Sequence, residues 1–344
     1  MNISLLKIIE NISCPNHYLT QVGYNYDLYV QGLCDVLSKI ETKISRKKFL
    51  HLVEGKLQLK ARNFNEDGYI QTACELTVMN DFINNEKFKF LYENKVTPPK
   101  DVDFTLQSEG INYNIEVKCP SFKEIPKSIN DISLTLTNRA PTINSKIKVL
   151  DDIKSRLEQH GKKITEEKNL DNTLKSFLES AQEKVSSSSQ KDVNILVVCC
   201  DNAINMQTWR GYLFGWQGFF TDNSYIEHSS FDRVDYVLLT NIYHYHHHFF
   251  KKNLINRHWS ISTSFNLLYP NKYSKRNKTV IGDVDLKKMN SIFNNHNYNF
   301  EKYLKDKNDL PKDEAYEVKE MILGVAWYTD KFKENGLHYF NKQT

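Results

Sequence analysis

Asp103, Glu116 and Lys118 are the residues of this chain whose types and spacing best suit chemistry. Along 111–119 the side chains of an extended strand alternate: Tyr113, Ile115, Val117 and Cys119 fall on one face, Asn114, Glu116 and Lys118 on the other. A shorter strand over 102–107 carries Asp103, and a turn at Glu109-Gly110 folds the two into a hairpin that sets the Asp103 carboxylate beside that of Glu116. Two close carboxylates repel. A divalent cation relieves the repulsion, and hard oxygen ligands together with a backbone carbonyl select Mg²⁺ or Mn²⁺. Lys118 then stands poised over whatever the metal binds. Glu-x-Lys on a polar strand face is by itself an ordinary solubilising pair, and it is Asp103 that gives it weight.

Glu75 adds a third carboxylate. In a helix over 69–84 it shares a stripe with Gln71, Val78, Met79 and Phe82. A carboxylate so close to an apolar stripe is costly unless paired. Lys118 or a metal would satisfy it; a Glu at the edge of the stripe reaching water is the plainer alternative.

The elements that must position these residues follow from periodicity. Residues 1–60 read as helical, with Leu28, Tyr29, Leu33, Val36, Leu37 and Ile40 forming the buried face of one helix and 46–60 a basic helical segment. A loop at 63–68 precedes the Glu75 helix. Segment 88–93 is strand-like, and Pro98-Pro99 punctuates the loop before the hairpin. Charged helices are expected over 144–160 and 170–185, with a flexible connection at 186–189. The uninterrupted apolar runs 193–200 and 234–240 are strands buried on both faces. Segment 264–269 is a further strand candidate, 272–278 an exposed basic loop. A last helix carries Val318, Met321, Ile322, Val325 and Tyr328 and stops at Gly336. The expected fold class is α/β, a mixed central sheet flanked by helices. The organisation is an N-terminal helical region over 1–62, an α/β core over 63–282 and a C-terminal helical region over 283–344, all three compatible with one domain.

Composition narrows the function classes. With 344 residues, 40 % hydrophobic, and 19 Phe, 19 Tyr and 4 Trp, the chain has ample material for a core and is not a disordered one. The balance of 46 basic against 42 acidic residues argues for no particular partner. Six Cys without regular spacing suggest neither a zinc ribbon nor a disulfide framework. With no apolar run of membrane length and no export signal, a cytoplasmic protein without a membrane partner is expected.

Other candidates have bland counterparts. His244, His246, His247 and His248 follow the strand 234–240; continued as a strand, they would put three imidazoles on one face, although an exposed polar loop is the simpler reading. Lys272, Lys275, Arg276 and Lys278, with Tyr273 among them, could track a nucleic-acid backbone or be a solvated loop. Lys123, Lys127 and Arg139 are placed to meet substrate phosphates. Asp201 lies at a strand end where ligands often bind, or caps the next segment. Trp209, Trp216, Phe219 and Phe220 read as core, as does Cys119.

Glu75 in a helix, Val102-Asp103-Phe104, and Ile115-Glu116-Val117-Lys118, followed by helices and an apolar strand, resemble the PD-(D/E)xK nuclease superfamily over roughly 65–245. Val102 stands where the family has the Pro that names its motif, with Pro98 and Pro99 upstream instead. The resemblance implies a restriction-endonuclease-like core of helix, three strands, helix and strand. It implies that Asp103, Glu116 and the Val117 backbone carbonyl bind Mg²⁺, with Mn²⁺ as substitute, and that Glu75 completes a second metal site or holds Lys118. Lys118 would orient the attacking water or steady charge on phosphorus. The expected activity is a Mg²⁺-dependent endodeoxyribonuclease, of restriction, phage-defence or mobile-element type, leaving a 5′-phosphate. A homodimer would explain double-strand cutting. A catalytically silent nucleic-acid-binding or interaction module on the same fold, and an RNA-directed nuclease, are the alternatives.

Overall fold

The computed structural model describes residues 9–121, 131–134, 163–166, 171–185, 191–252, 257–276, 283–296 and 329–338, with isolated positions at 148, 255 and within 151–159. Their architecture is α/β: a mixed six-stranded sheet flanked by helices. Three N-terminal helices come first, α1 (Tyr26–Glu41), α2 (Arg46–Leu50, continued by a π-helical turn over His51–Lys56) and α3 (Glu66–Asn80). Strands β1 (Lys89–Thr97), β2 (Lys100–Ser108) and β3 (Ile111–Lys118) form an antiparallel meander. The short strands β4 (Asp131–Leu134) and β5 (Lys163–Glu166) pair in parallel with each other, apart from the main sheet. Helix α4 (Asp171–Lys184) leads to β6 (Asp192–Cys199), which lies parallel to β3. Helix α5 (Ala203–Phe214), β7 (Tyr236–Thr240), the short α6 (Ile242–His246), β8 (Asn266–Pro270) and α7 (Asp283–Ile292) complete the order. The sheet runs β1-β2-β3-β6-β7-β8, with β8 antiparallel to β7.

Two apolar layers sandwich the sheet. Ile115, Val117, Ile195 and Val197 face α1, α2 and α3; Leu196, Val198, Val237 and Leu239 face α4 and α5. Strands β6 and β7 are apolar throughout because both their faces are covered. The N-terminal helices and Met289 and Phe293 at the C-terminal side join the same apolar cluster as the sheet. Among the described residues no helix is long and apolar enough to cross a membrane.

Several local expectations change. In α1 the stripe is Tyr29, Val30, Leu33, Val36, Leu37 and Ile40, while Leu28 is exposed because it falls outside that arc. Pro98-Pro99 makes the tight β1–β2 connection rather than a long loop, with Thr97 opposite Lys100. The histidine run does not continue β7. The Asn241 side chain ends the strand by accepting from Phe265 N and donating to the Asn335 carbonyl, and a helical turn follows. Trp216 is exposed, unlike the buried Trp209, Phe219 and Phe220. Most of the expected C-terminal helix lies outside the described residues, but Gly336 stops the final turn with φ 70°, a left-handed conformation that glycine adopts without strain.

Candidate active site

β2 and β3 pair from Ser108↔Ile111 up to Phe104↔Ile115, and the site begins where that pairing stops. Beyond it, the Val117 amide donates to Asp103 Oδ2 at 2.7 Å instead of to a β2 carbonyl. Asp103 is thus wedged into the splayed end of the hairpin, one strand away from Glu116. Glu116 is buried; its Oε1 accepts from Lys118 Nζ and from Lys184 Nζ at the end of α4, each at 2.7 Å. Its Oε2 is buried and accepts no hydrogen bond.

Glu75 approaches from α3. Gln71, one turn earlier, donates from Nε2 to Glu75 Oε1 at 2.9 Å and to the Val117 carbonyl at 2.8 Å, while its Oε1 accepts from the Cys119 amide at 2.8 Å. This one amide side chain therefore ties α3 to the end of β3. The cation beside Glu75 is Lys56 of the π-helical turn, 3.7 Å from Oε2, and Lys56 also pairs with Glu93 at 3.1 Å. Lys56 is thus the cation in ion-pair contact with Glu75, while Lys118, drawn to Glu116 on its own strand face, acts on Glu75 from further off.

Three carboxylates and three lysines meet here, most of them away from bulk water. Burial, then the charges of Glu75 and Glu116, push the Asp103 carboxyl well above its ordinary range. Burial raises Glu75 as well; Lys56 and Gln71 pull it back, and Glu116 adds to the rise. Burial works against the Lys184 ammonium, but the Glu116 carboxylate outweighs it and holds the amine protonated above its usual range. The Glu75 and Glu116 charges thus raise Asp103, and Glu116 raises Glu75, in a partly water-excluded recess that Lys56, Lys118 and Lys184 also enter. The carboxylates are more widely spaced than a preformed ligand cage: Asp103 Oδ2 is turned to Val117 N and Glu116 Oε1 to two lysines.

Three groups, none of which includes Asp103, Glu116 or Glu75, bring potential ligand atoms within 4.8 Å of one another among the described residues: Cys74, Cys119 and Cys199; Glu66, His247 and His248; and Asp201, His244 and His338. The histidine run is divided among three tasks. His244 Nδ1 lies 3.3 Å from Asp201 Oδ1 and 3.0 Å from Lys252 Nζ. His246 is buried between the Tyr29 hydroxyl (2.9 Å) and Thr77 Oγ1 (2.7 Å). His248 reaches Glu66 at 3.5 Å. Burial and Lys252 bring His244 down to about 3, so it is neutral at physiological pH. Burial opposes the Asp201 charge, yet His244 and Lys252 hold the carboxylate well below its ordinary range. The next helix is capped by Asn202, not Asp201.

The cysteines were beyond the reach of spacing arguments. Burial disfavours the Cys119 thiolate, but hydrogen bonds from Cys199 and Cys74 overcome it and bring Cys119 to about 6.

The basic loop lies elsewhere. Thr240 is opposite Asn266 and Tyr236 opposite Pro270, so residues after 270 emerge at the end of the sheet away from Asp103 and Glu116. There Lys272 pairs with Asp222 at 3.2 Å and Lys275 with Asp232 at 3.0 Å, and Arg276 is buried beside Asp235. A backbone-tracking role shared with the carboxylate site does not fit this placement. Lys123, Lys127, Arg139 and Lys278 lie outside the described residues. Sequence reasoning misses Lys184 and Lys56 as site residues, and shows Gln71 only as the stripe partner of Glu75 one turn away. No protein-family model, curated protein or solved structure matches the chain.

Proposed function

We propose that the chain is a metal-dependent nuclease that hydrolyses phosphodiester bonds of DNA, built on a restriction-endonuclease-like core. The observation that carries this reading is the buried, unpartnered Oε2 of Glu116 among the mutually repelling carboxylates of Asp103 and Glu75. The succession α3, β1–β3, α4 and β6, with β6 parallel to β3, supports it as the helix, three-strand, helix, strand order of that fold.

Asp103, Glu116 and the Val117 carbonyl would hold Mg²⁺, with Glu75 available for a second ion. Once bound, a divalent cation supplies Lewis-acid polarisation of the scissile phosphate and acidifies water. Lys118 and Lys184 are both tethered to Glu116, so the residue that would hold the cation also keeps two ammonium groups beside the place a phosphate would occupy. Lys118, at the mouth of the splayed hairpin, stabilises charge gathering on phosphorus, and Lys184 faces it from α4. Gln71 fixes the end of β3 and with it the direction in which Lys118 points.

The test is cleavage of supercoiled and linear plasmid with Mg²⁺ or Mn²⁺, wild type beside Lys118→Ala and Asp103→Ala, with Mn²⁺ binding measured in parallel. Metal-dependent cutting lost in both variants is the expected result. Mn²⁺ binding through Asp103 without cutting of DNA or RNA would replace the nuclease by a nucleic-acid-binding or interaction module. Cutting of RNA alone would change the substrate. Absence of Mn²⁺ binding would reduce the carboxylates to a structural feature.

A further inference from the structure

Cys74, Cys119 and Cys199 come from three separate parts of the chain, on α3, just past β3 and at the end of β6. The parallel register that sets Lys118 opposite Val198 brings residues 119 and 199 side by side at the ends of adjacent strands, and α3 crosses above them. Their Sγ atoms all lie within 4.8 Å of one another, and all three are free thiols. Cys200, adjacent in sequence, belongs to the opposite apolar layer and takes no part.

The spacing is informative. Three sulfurs around one ion at a metal–sulfur distance of about 2.3 Å sit about 4 Å apart, so the observed trio requires only small side-chain adjustments to close. Sulfur ligands favour soft cations and disfavour Mg²⁺, which separates this group from the carboxylates close by. Cys74 and Cys199 are fully buried, whereas Cys119 is half-buried and opens the trio to one side. A trigonal set with a single open approach suits a d¹⁰ ion that accepts three ligands, alone or completed by solvent. The two histidine-containing groups are less suited to a cation: Lys252 already lies against His244, and Tyr18 donates to the Glu66 oxygen that faces His248.

We propose that Cys74, Cys119 and Cys199 form a three-thiolate site for one thiophilic d¹⁰ cation of the zinc and copper(I) class. Binding forms three metal–sulfur bonds and releases one proton for each thiol still protonated at the working pH, with no change of oxidation state. The site is independent of the nuclease reading.

The test uses the full chain, reduced, with Cd²⁺ as spectroscopic probe in excess Mg²⁺, followed by Zn²⁺ and Cu⁺ competition to rank the two ions. One Cd²⁺ per chain with a sulfur-to-metal charge-transfer band is expected. Cys74→Ser, Cys119→Ser and Cys199→Ser should each weaken binding by about 100-fold or more, while Cys34→Ser leaves it unchanged. Because Cys74 and Cys199 are fully buried and their substitution also touches folding, alkylation of the wild type supplies a second readout: bound Cd²⁺ should shield Cys119 from iodoacetamide. The absence of a stoichiometric thiolate band, a band that survives in Cys119→Ser, or Cys119 alkylated as fast with Cd²⁺ bound as without it would each overturn the site.

Discussion

Two buried polar groups lie on the same face of the same strands, two residues apart, and differ in kind. In one, Asn94 donates to Thr105 (3.0 Å), Thr105 to Asn114 (2.9 Å) and Asn114 to Asn194 (2.9 Å), whose backbone amide in turn donates to Asp235 (2.8 Å). The chain of contacts crosses from β1 through β2 and β3 to β6. Each neutral side chain that gives a hydrogen bond finds an acceptor. In the other, Asp103 and Glu116 follow the same alternation on β2 and β3, but bring charge where the first group brings amides and hydroxyls. Glu116 Oε2 is left without a partner and Asp103 clings to its proton. The satisfied amides and hydroxyls of the first group fix register and alignment, although the Asp235 carboxylate at its far end, like Glu116, keeps one buried oxygen without a hydrogen bond. A recess that crowds three carboxylates and orphans one of their oxygens lowers stability, and such a feature persists where something else has a use for it.

Disrupting each group separately should therefore give opposite results. The largest effect expected is on catalysis: Lys118→Ala should lower metal-dependent plasmid cleavage by about 10²–10³-fold while the thermal midpoint moves little. Next, Asn114→Ala takes the acceptor from the Thr105 hydroxyl proton and the donor from the Asn194 side-chain oxygen, both buried. It should cost about 3 kcal/mol in denaturant unfolding and leave Mn²⁺ affinity where it was. Asp103→Asn keeps an acceptor for Val117 N but removes the charge, and should do the reverse, raising the thermal midpoint at pH 7 by about 2–4 °C, the size of shift that ~1 kcal/mol produces, while abolishing Mn²⁺ binding.

The sign of the last effect has a pH signature. Because the folded-state pKa of Asp103 is raised, the native protein holds its proton more tightly than the unfolded chain. Below the ordinary Asp value of 3.8 both states are protonated and there is no penalty; the penalty grows as pH climbs from there through the raised native value. The advantage of Asp103→Asn should accordingly be absent in acid and develop toward neutrality, and thermal melts at several pH values would check it. The smallest effect expected is that of Lys184→Met, which removes one of the two ammonium groups on Glu116 and should tighten Mn²⁺ about threefold by calorimetry.

The sheet-forming segments were legible because alternation and uninterrupted apolar runs are local signals. β3, β6, β7 and β8 lie within a residue or two of where periodicity puts them. Asp103, Glu116 and Lys118 were legible for the same reason, since a short hairpin has few ways to pair. Lys184 was not: it ends a helix rich in charged residues, and nothing local distinguishes the lysine that turns inward. Lys56 hid in a basic segment for the same reason. The thiol trio depends on a parallel pairing between strands separated by α4 and the segment around β4 and β5, which no window of sequence can reveal. The histidine run misled because its polar composition reads as an exposed loop, whereas it forms a helical turn with His246 and His247 buried against partners distant in sequence.

Helix α1 illustrates the cost of such distant partnerships in time. Trp259 donates its indole N–H to the Tyr29 carbonyl, 230 residues earlier, and His246 meets the Tyr29 hydroxyl across 217. Phe249 stacks on the same ring with centroids 3.5 Å apart. At roughly 5–20 residues per second of synthesis, α1 leaves the ribosome roughly 10–50 s before the residues that cover it. During that interval its apolar stripe has only the helices and strands already made to lean on, and a nascent chain halted before Trp259 would display it to chaperones.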